Sequence, residues 1–393
     1  MSENRKSGEE KKRIVIIGAN SFQNPLILRA KELGFETHVF AWQDGSVGEE
    51  TADFFYPISI VERERILEKC RELNPMAIAS IGSDLAMLTV NEVANRLGLP
   101  GNSMACTRMS TNKYEMRRAF ARAGVPVPGF VKAEPETARA KAESRGLRLP
   151  VIVKPTDRSG SRGITRLEKW EGLLEAVRFA AENSFEGKAI VEECIPGEEY
   201  SCECISSRGV HHCLTMTKKY TTGAPHFIET GHLQPCGLSP ELRKRAEEAV
   251  FQGLDALEVT TGASHAEFMV DDEGEVRIIE IGARMGGDCI GSDLVPLSTG
   301  YDYVGMVIDT ACGREPALVQ TRKPYGAAYI HFIFGEEDLK LLEHLKQKAP
   351  EKLRFVSHIE SFDKGPVTDS STRYGYFIAA FDSVEEKEAY VGI

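Results

Sequence analysis

Two apolar runs separated by turn-forming residues constrain this chain more than any other feature. Ser264-His265-Ala266-Glu267-Phe268-Met269-Val270 is followed by Asp271-Asp272-Glu273-Gly274, and Ile278-Ile279-Glu280-Ile281-Gly282 then runs into Ala283-Arg284-Met285-Gly286-Gly287-Asp288. The pattern predicts an antiparallel hairpin. Each strand carries one glutamate, and an ionised carboxylate in an apolar run is unfavourable without a partner. With so short a loop, Glu267 and Glu280 fall opposite or diagonal to each other. A two-residue turn at Asp272-Glu273 makes the register sum odd and puts both on one face. Their Cα atoms are then roughly 5–8 Å apart, a span that a hard cation such as Mg²⁺ can bridge. Two acids, Arg284 and paired glycines at one strand end point to a metal–phosphate site. A solvent-facing pair on an edge hairpin is the plainer alternative.

The length, 393 residues, implies two or three domains with ample core. A net charge of -11 argues against a nucleic-acid partner, which needs a basic face. No apolar run approaches the roughly 20 residues that span a bilayer, and the N-terminus lacks the apolar core of a secretion signal. The nine cysteines are scattered without a C-x-x-C pair. That usage fits reduced thiols in a cytoplasmic protein and gives no structural zinc site. Residues 1–12 are polar and charged and read as a disordered lead.

Arg13-Ile14-Val15-Ile16-Ile17-Gly18 is a buried strand ending in a glycine turn, followed by a helix from Pro25 and a strand from Glu36 to Trp42. Helix–strand alternation continues through Glu62–Leu73, Ala77–Ile81 and Asp84–Leu97. This is a doubly wound α/β opening. Its first turn has Gly18 alone where a dinucleotide site needs G-x-G-x-x-G, so the unit reads as a Rossmann-like scaffold without a dinucleotide. Lys113 opens a helix over Tyr114–Ala123. Pro150-Val151-Ile152-Val153-Lys154-Pro155 is a strand ending in lysine, and Arg158-Ser159-Gly160-Ser161-Arg162-Gly163 follows it. Such a loop offers backbone N–H groups, hydroxyls and cations to a polyphosphate. A mobile surface turn is the alternative, and no Walker A pattern occurs. Ala189 to Tyr200 places Glu192, Glu193, Ile195 and Glu199 where a strand and hinge can meet an adenine edge and ribose hydroxyls.

Lys113, the Lys154 strand end with its glycine loop, the Glu192–Glu199 hinge and the Glu267/Glu280/Arg284 cluster stand in that order. In order and spacing the chain resembles the ATP-grasp superfamily of carboxylate–amine ligases, in its biotin carboxylase-like branch, from Arg13 to the C-terminus. The resemblance implies an α/β fold: a Rossmann-like domain (13–112), a small α+β lid (113–194), a larger α+β core (195–315) and a closing module (316–393) of scaffold character. It implies that Lys113 and Lys154 hold the ATP phosphates under Ser159, Gly160, Ser161 and Gly163. Glu192 would accept the adenine amino group beside the Glu193 carbonyl and Ile195 amide, and Glu199 would bind the ribose. Glu267 and Glu280 would be ligands of Mg²⁺, or of Mn²⁺. Gly282 stands where the family commonly has another ligand, asparagine, which leaves the number of ions open.

The segment Lys218 to His232, with Glu229 and His232 three apart, followed by Arg284 and Gly287, is similar to the dipeptide-forming amino-acid ligases. By that resemblance Glu229 meets the substrate ammonium, His232 lies near the carboxylate or acyl phosphate, and Arg284 holds the transferred phosphoryl oxygens. A buried, backbone-satisfied histidine and a surface glutamate are the plainer alternatives. The expected function is ATP-dependent joining of an amino-acid carboxylate to an amine, with release of ADP and phosphate. The partners are small molecules, with no nucleic acid and no membrane; oligomeric state is open, a homodimer included. The competing expectations are a purine-pathway or biotin carboxylase-like ligase and a nucleotide-binding regulator without turnover.

Overall fold

The computed structural model describes residues 11–224 and 227–392, and of Lys364 the backbone alone. The lead expected over residues 1–12 falls outside these apart from Lys11 and Lys12, and so do Pro225 and His226 of the expected substrate segment. Among the described residues, no helix is long and apolar enough to cross a membrane. All nine cysteines are free.

The N-terminal sheet contains β1 (Arg13–Ile17), β2 (Glu36–Ala41), β3 (Phe54–Pro57) and β4 (Ala77–Ala79), in the parallel order β3-β2-β1-β4. Its central strand is covered on both faces, which explains the unbroken apolar run. Ile14 and Ile16 pack against Leu26 and Ile27 of the helix Asn24–Glu32. Val15 and Ile17 pack against Ile66, Leu67 and Val90 on the other face. The first of these cores also takes in Tyr303, Val304 and Val307 and the strand residues Ile205 and Ala263, so it continues into the C-terminal part.

A second, antiparallel sheet has its own apolar core and contains β5 (Phe130–Ala133), β6 (Val151–Pro155), β7 (Thr165–Leu167) and β8 (Ala189–Glu193), ordered β5-β8-β6-β7. The helix Lys113–Ala123 packs elsewhere: Met116 and Phe120 enter the core of the large sheet. That sheet is antiparallel and eight-stranded. Its strands are β9 (Glu198–Ser207), β10 (Val210–Thr221), β11 (Glu229–Gln234), β12 (Gly262–Val270), β13 (Val276–Gly282), β14 (Ala327–Ile333), β15 (Leu353–Val356) and β16 (Gly375–Phe381). The order is β13-β12-β9-β10-β11-β14-β16-β15. Pairing of β11 with β14 carries one sheet across the segments expected at 195–315 and 316–393.

The β12–β13 hairpin corrects the expected turn. Val270 pairs with Val276, so the loop runs over the five residues Asp271–Glu275 and the register sum beside it is even. The Asp271 side chain accepts from the amides of Glu273 and Glu275 at 3.1 and 2.9 Å, and these bonds favour the longer turn. Carried through unbroken, that register would set Ile279 against Glu267 and turn Glu280 to the other face. A bulge at Ile279 intervenes, and Glu267 pairs directly with Glu280.

Candidate active site

The cleft lies where the three sheets meet and has two lobes, of about 150 Å³ and 230 Å³. The smaller is lined by Lys113, Lys154, the loop Arg158–Arg162, Glu199, Glu267 and Glu280. The larger takes in His232, Gly287, Asp288 and Arg373. Lys219, Glu229, Glu267, Arg284 and the glycine loop belong to both.

Lys113 is the first residue of its helix because the Asn112 side chain caps it, accepting from the amides of Tyr114 and Glu115. Its buried ammonium donates to Glu280 Oε1 at 2.8 Å and to the Arg158 carbonyl at 2.7 Å. Gly160 and Gly163 of the loop have φ of +73° and +70°. A Cβ at Gly163 would lie 2.9 Å from Pro155 and Asn183, so its absence lets the loop fold back onto β6. Ser161 Oγ donates to the Phe227 carbonyl at 3.1 Å and ties the loop to the segment before β11.

Lys154 and Glu192 are diagonal neighbours across β6 and β8, and their side chains form an ion pair. Arg117 donates to the same carboxylate from Nε at 2.9 Å and Nη2 at 3.3 Å. Burial pushes the Glu192 carboxyl up, but the two cations outweigh it and bring it down to about 2. The Glu192 carboxylate, which the resemblance gives to the adenine amino group, is 4% exposed, lines neither lobe and is held by these two cations. The Glu193 side chain takes the Arg148 and Gly129 amides at 3.0 and 3.3 Å. Ile195 follows in the link to β9, and Gly163, Glu193 and Ile195 lie outside both lobes.

The centre of the cleft is Lys219. It is nearly fully buried, pairs with Glu267, and lies 2.6 Å from Glu199 and 3.8 Å from Glu229. Burial alone would favour the neutral amine, but the three carboxylates more than offset it and raise its pKa well above the usual lysine value. Glu267 is disfavoured as an anion by burial, yet Lys219 and His265 hold its pKa well below the carboxylate range. His265 contacts Glu203 through Nδ1 and lies 3.3 Å from Glu267 through Nε2. Despite burial, these partners raise it to about 9. Arg284 donates to Asp84 from Nε at 2.8 Å and from Nη2 at 3.1 Å. His232 is buried, sits edge-on to Phe332 and, among the described residues, has no hydrogen-bond partner on either ring nitrogen, the Asp288 carboxylate lying 3.7 Å from Nε2. Burial lowers its pKa against the pull of Asp288, and the ring faces the larger lobe.

The cleft thus gathers Lys113, Lys154, Glu199, Glu229, His232, Glu267, Glu280 and Arg284 with the glycine loop and Gly287. Sequence reasoning passed over Lys219, Asp84, His265 and Arg373. A signal existed for Lys219: adjacent lysines on a strand point to opposite faces, so one of Lys218 and Lys219 must face inward. Asp84 gave none, since an acid in a first helical turn is ordinary.

Glu267 and Glu280 can hold a hard cation. They are paired across two strands, and among the described residues no cluster of three or more His, Cys, Asp or Glu is arranged as a metal site. Two carboxylates with the remaining ligands from water and phosphate oxygens is a donor set that suits Mg²⁺.

Residues 147–293 match a family model described as an ATP-grasp domain. A D-alanine--D-alanine ligase of Hydrogenovibrio crunogenus is 28% identical over 210 residues, covering 50% of this chain and 63% of that one. An alanine--anticapsin ligase of Bacillus subtilis is 26% identical over 318 residues, covering 71% of this chain and 66% of that one. The chain therefore spans slightly under two thirds of the length of these curated relatives. The crystal structure of an L-amino acid ligase from Bacillus licheniformis superposes with a TM-score of 0.82 at 23% identity, covering 98% of this chain and 96% of that one. The chain has the ATP-grasp fold and carries an ATP-grasp domain within it.

Proposed function

We propose that the chain is an ATP-dependent carboxylate–amine ligase that activates an amino-acid carboxylate as an acyl phosphate and joins it to an amine, a second amino acid. One observation carries the reading. A cationic lobe and a lobe with acids and a buried histidine meet at Lys219, Glu267 and Arg284, where a phosphoryl group can pass between them. The smaller lobe has six lysines and arginines, Lys113, Lys154, Arg158, Arg162, Lys219 and Arg284, and also His265, against four glutamates. That surplus suits a polyphosphate, and the match to an ATP-grasp domain model supports ATP as its source.

Carboxylates do not condense with amines at neutral pH, because the leaving group is poor and the anion repels nucleophiles. In the proposed reaction a carboxylate oxygen attacks the γ-phosphorus and ADP leaves. The amine then attacks the acyl carbon and loses a proton, and phosphate departs. Positioning and charge neutralisation supply most of the catalysis in such a transfer. Lys113, Lys154 and the glycine loop hold the phosphates, while Glu199 takes the ribose. Glu193 and Ile195, in the hinge, offer backbone groups to the adenine. Glu229 meets the ammonium of the activated amino acid, and His232 and Arg284 face its carboxylate and the phosphoryl oxygens. Glu267 and Glu280 would hold Mg²⁺ or Mn²⁺, which would neutralise phosphate charge. The loop Ser159–Gly163, closing over the nucleotide, would keep water from the acyl phosphate.

The test is phosphate release from ATP and Mg²⁺ with paired amino acids, the products weighed by mass spectrometry. The expected result is ADP, phosphate and a dipeptide. Release of AMP, or turnover with bicarbonate or phosphoribosyl amines in place of amino acids, would sink the reading.

A further inference from the structure

The segment Ser370–Arg373, from the part of the chain expected to be scaffold, reaches over the larger lobe. Ser370 Oγ donates to Glu229 Oε2 at 2.8 Å. Arg373 donates to both oxygens of Asp288, from Nη1 at 2.8 Å and from Nη2 at 2.6 Å. It also donates to the carbonyls of Glu229 at 3.4 Å and Ser370 at 2.8 Å. Its guanidinium lies 3.6 Å from the centroid of the Phe332 ring, the ring against which His232 stands edge-on. Asp288 is in turn 3.7 Å from His232 Nε2. One buried side chain therefore braces both Glu229 and the surroundings of His232.

The backbone beside it gives a second observation. Asp288 and Cys289 are consecutive non-glycine residues with φ of +51° and +60°. Left-handed backbone is strained for such residues and persists where the surroundings over-determine it. The bidentate pair with Arg373 fixes Asp288 in that geometry. With its nitrogens so occupied, Arg373 acts on a ligand through the residues it holds.

We infer that Ser370 and Arg373 form a clasp that positions Glu229, Asp288 and His232, and that this clasp makes the site select α-amino acids over carboxylic acids lacking the ammonium group. The inference rests on the proposed function. Glu229 has Oε2 held by Ser370 and presents Oε1, 3.8 Å from Lys219, in a fixed direction, which an ammonium group can use and a plain carboxylic acid cannot.

The experiment measures phosphate release by the full chain with the amino acid that works best in a panel of twenty, and with its des-amino analogue. In Arg373→Ala, KM for the amino acid should rise at least tenfold while KM for ATP stays within twofold. The preference for amino acid over analogue in kcat/KM should fall at least tenfold. Ser370→Ala should move the preference the same way by a smaller factor, and it carries the test if Arg373→Ala does not fold. Arg373→Lys, which keeps the charge without the bidentate geometry, should recover part of the loss. Undiminished preference in these variants, or KM for ATP and amino acid rising together, overturns the clasp while leaving the proposed function intact. A wild-type chain that turns over no amino acid, or does not distinguish it from the analogue, overturns the proposed function and the clasp with it.

Discussion

Lys219 holds three carboxylates that would otherwise repel one another, Glu199, Glu229 and Glu267, and all three line the smaller lobe. Replacing one partner of a buried ion pair leaves an uncompensated charge, which typically costs roughly 3–5 kcal/mol. Lys219→Met is therefore expected to lower the denaturant midpoint and to reduce phosphate release at least a hundredfold. Lys218→Met, on the outward face, should change neither by much; equal effects from the two would contradict the central placement of Lys219. The Glu192 carboxylate makes a prediction about pH. Its folded pKa of about 2 lies below the ordinary value of 4.5, so the folded state favours the anion. The stabilisation is fully present above about pH 4.5 and is lost as pH falls through about 2, and by linkage it is of order 3 kcal/mol. Glu192→Gln should lower stability near neutrality by an amount of that order and flatten the unfolding curve between pH 4.5 and 2. A variant curve that keeps the wild-type acid limb would show that another carboxylate carries it.

At the scale of elements, Gly197 links the lid sheet to the large one, and its conformation is imposed by packing. With φ of +121°, it would place a Cβ 2.3 Å from the Val270 carbonyl oxygen, so no side chain fits there without moving β9 from β12. Gly197→Ala should destabilise the chain by roughly 3 kcal/mol or more and weaken nucleotide binding, because Glu199 begins two residues later. Unchanged nucleotide affinity measured by calorimetry would show that the hinge tolerates the shift. The same stretch shows what the sequence made legible. The β1 run was readable because burial on both faces makes it unbroken and apolar, and the helix Asp84–Leu97 because it buries a face that its own periodicity announces. The Glu267–Glu280 pairing was readable in outcome, but not the bulge at Ile279, because apolar residues at 278 and 279 satisfy either register. The ion pairs of Glu192 were not legible, because its spacing marks the hinge strand but not the two cations, from other elements, that meet it.

The whole molecule enters through Asp84 and Arg284, which are 200 positions apart. Asp84 opens the helix after β4, at the carboxyl end of the parallel strands where open α/β sheets place their ligands. Arg284 follows β13, at the far edge of the large sheet. No local pattern announces such a pair, because it exists only once the N-terminal unit docks on the rest. Both partners are largely buried, and each holds the other charged: burial opposes the ionised forms, yet the Asp84 carboxyl is lowered and the Arg284 guanidinium raised. The docking thus fixes an arginine shared by both lobes, and the Rossmann-like unit contributes to the site without lining the smaller lobe. Asp84→Ala should leave Arg284 buried and unpaired, with a loss of roughly 3–5 kcal/mol. Arg284→Ala should cost a comparable amount, and the double variant should lose little more than either single one, because the pair is removed only once. In turnover, Asp84→Ala is expected to lower kcat tenfold to a hundredfold with KM for ATP nearly unchanged, since Lys113 and Lys154, proposed to hold the phosphates, stay in place. Additive stability losses, or a KM for ATP that rises in step with the fall in kcat, would mean that Asp84 only tethers the domains and that Arg284 finds its position without it.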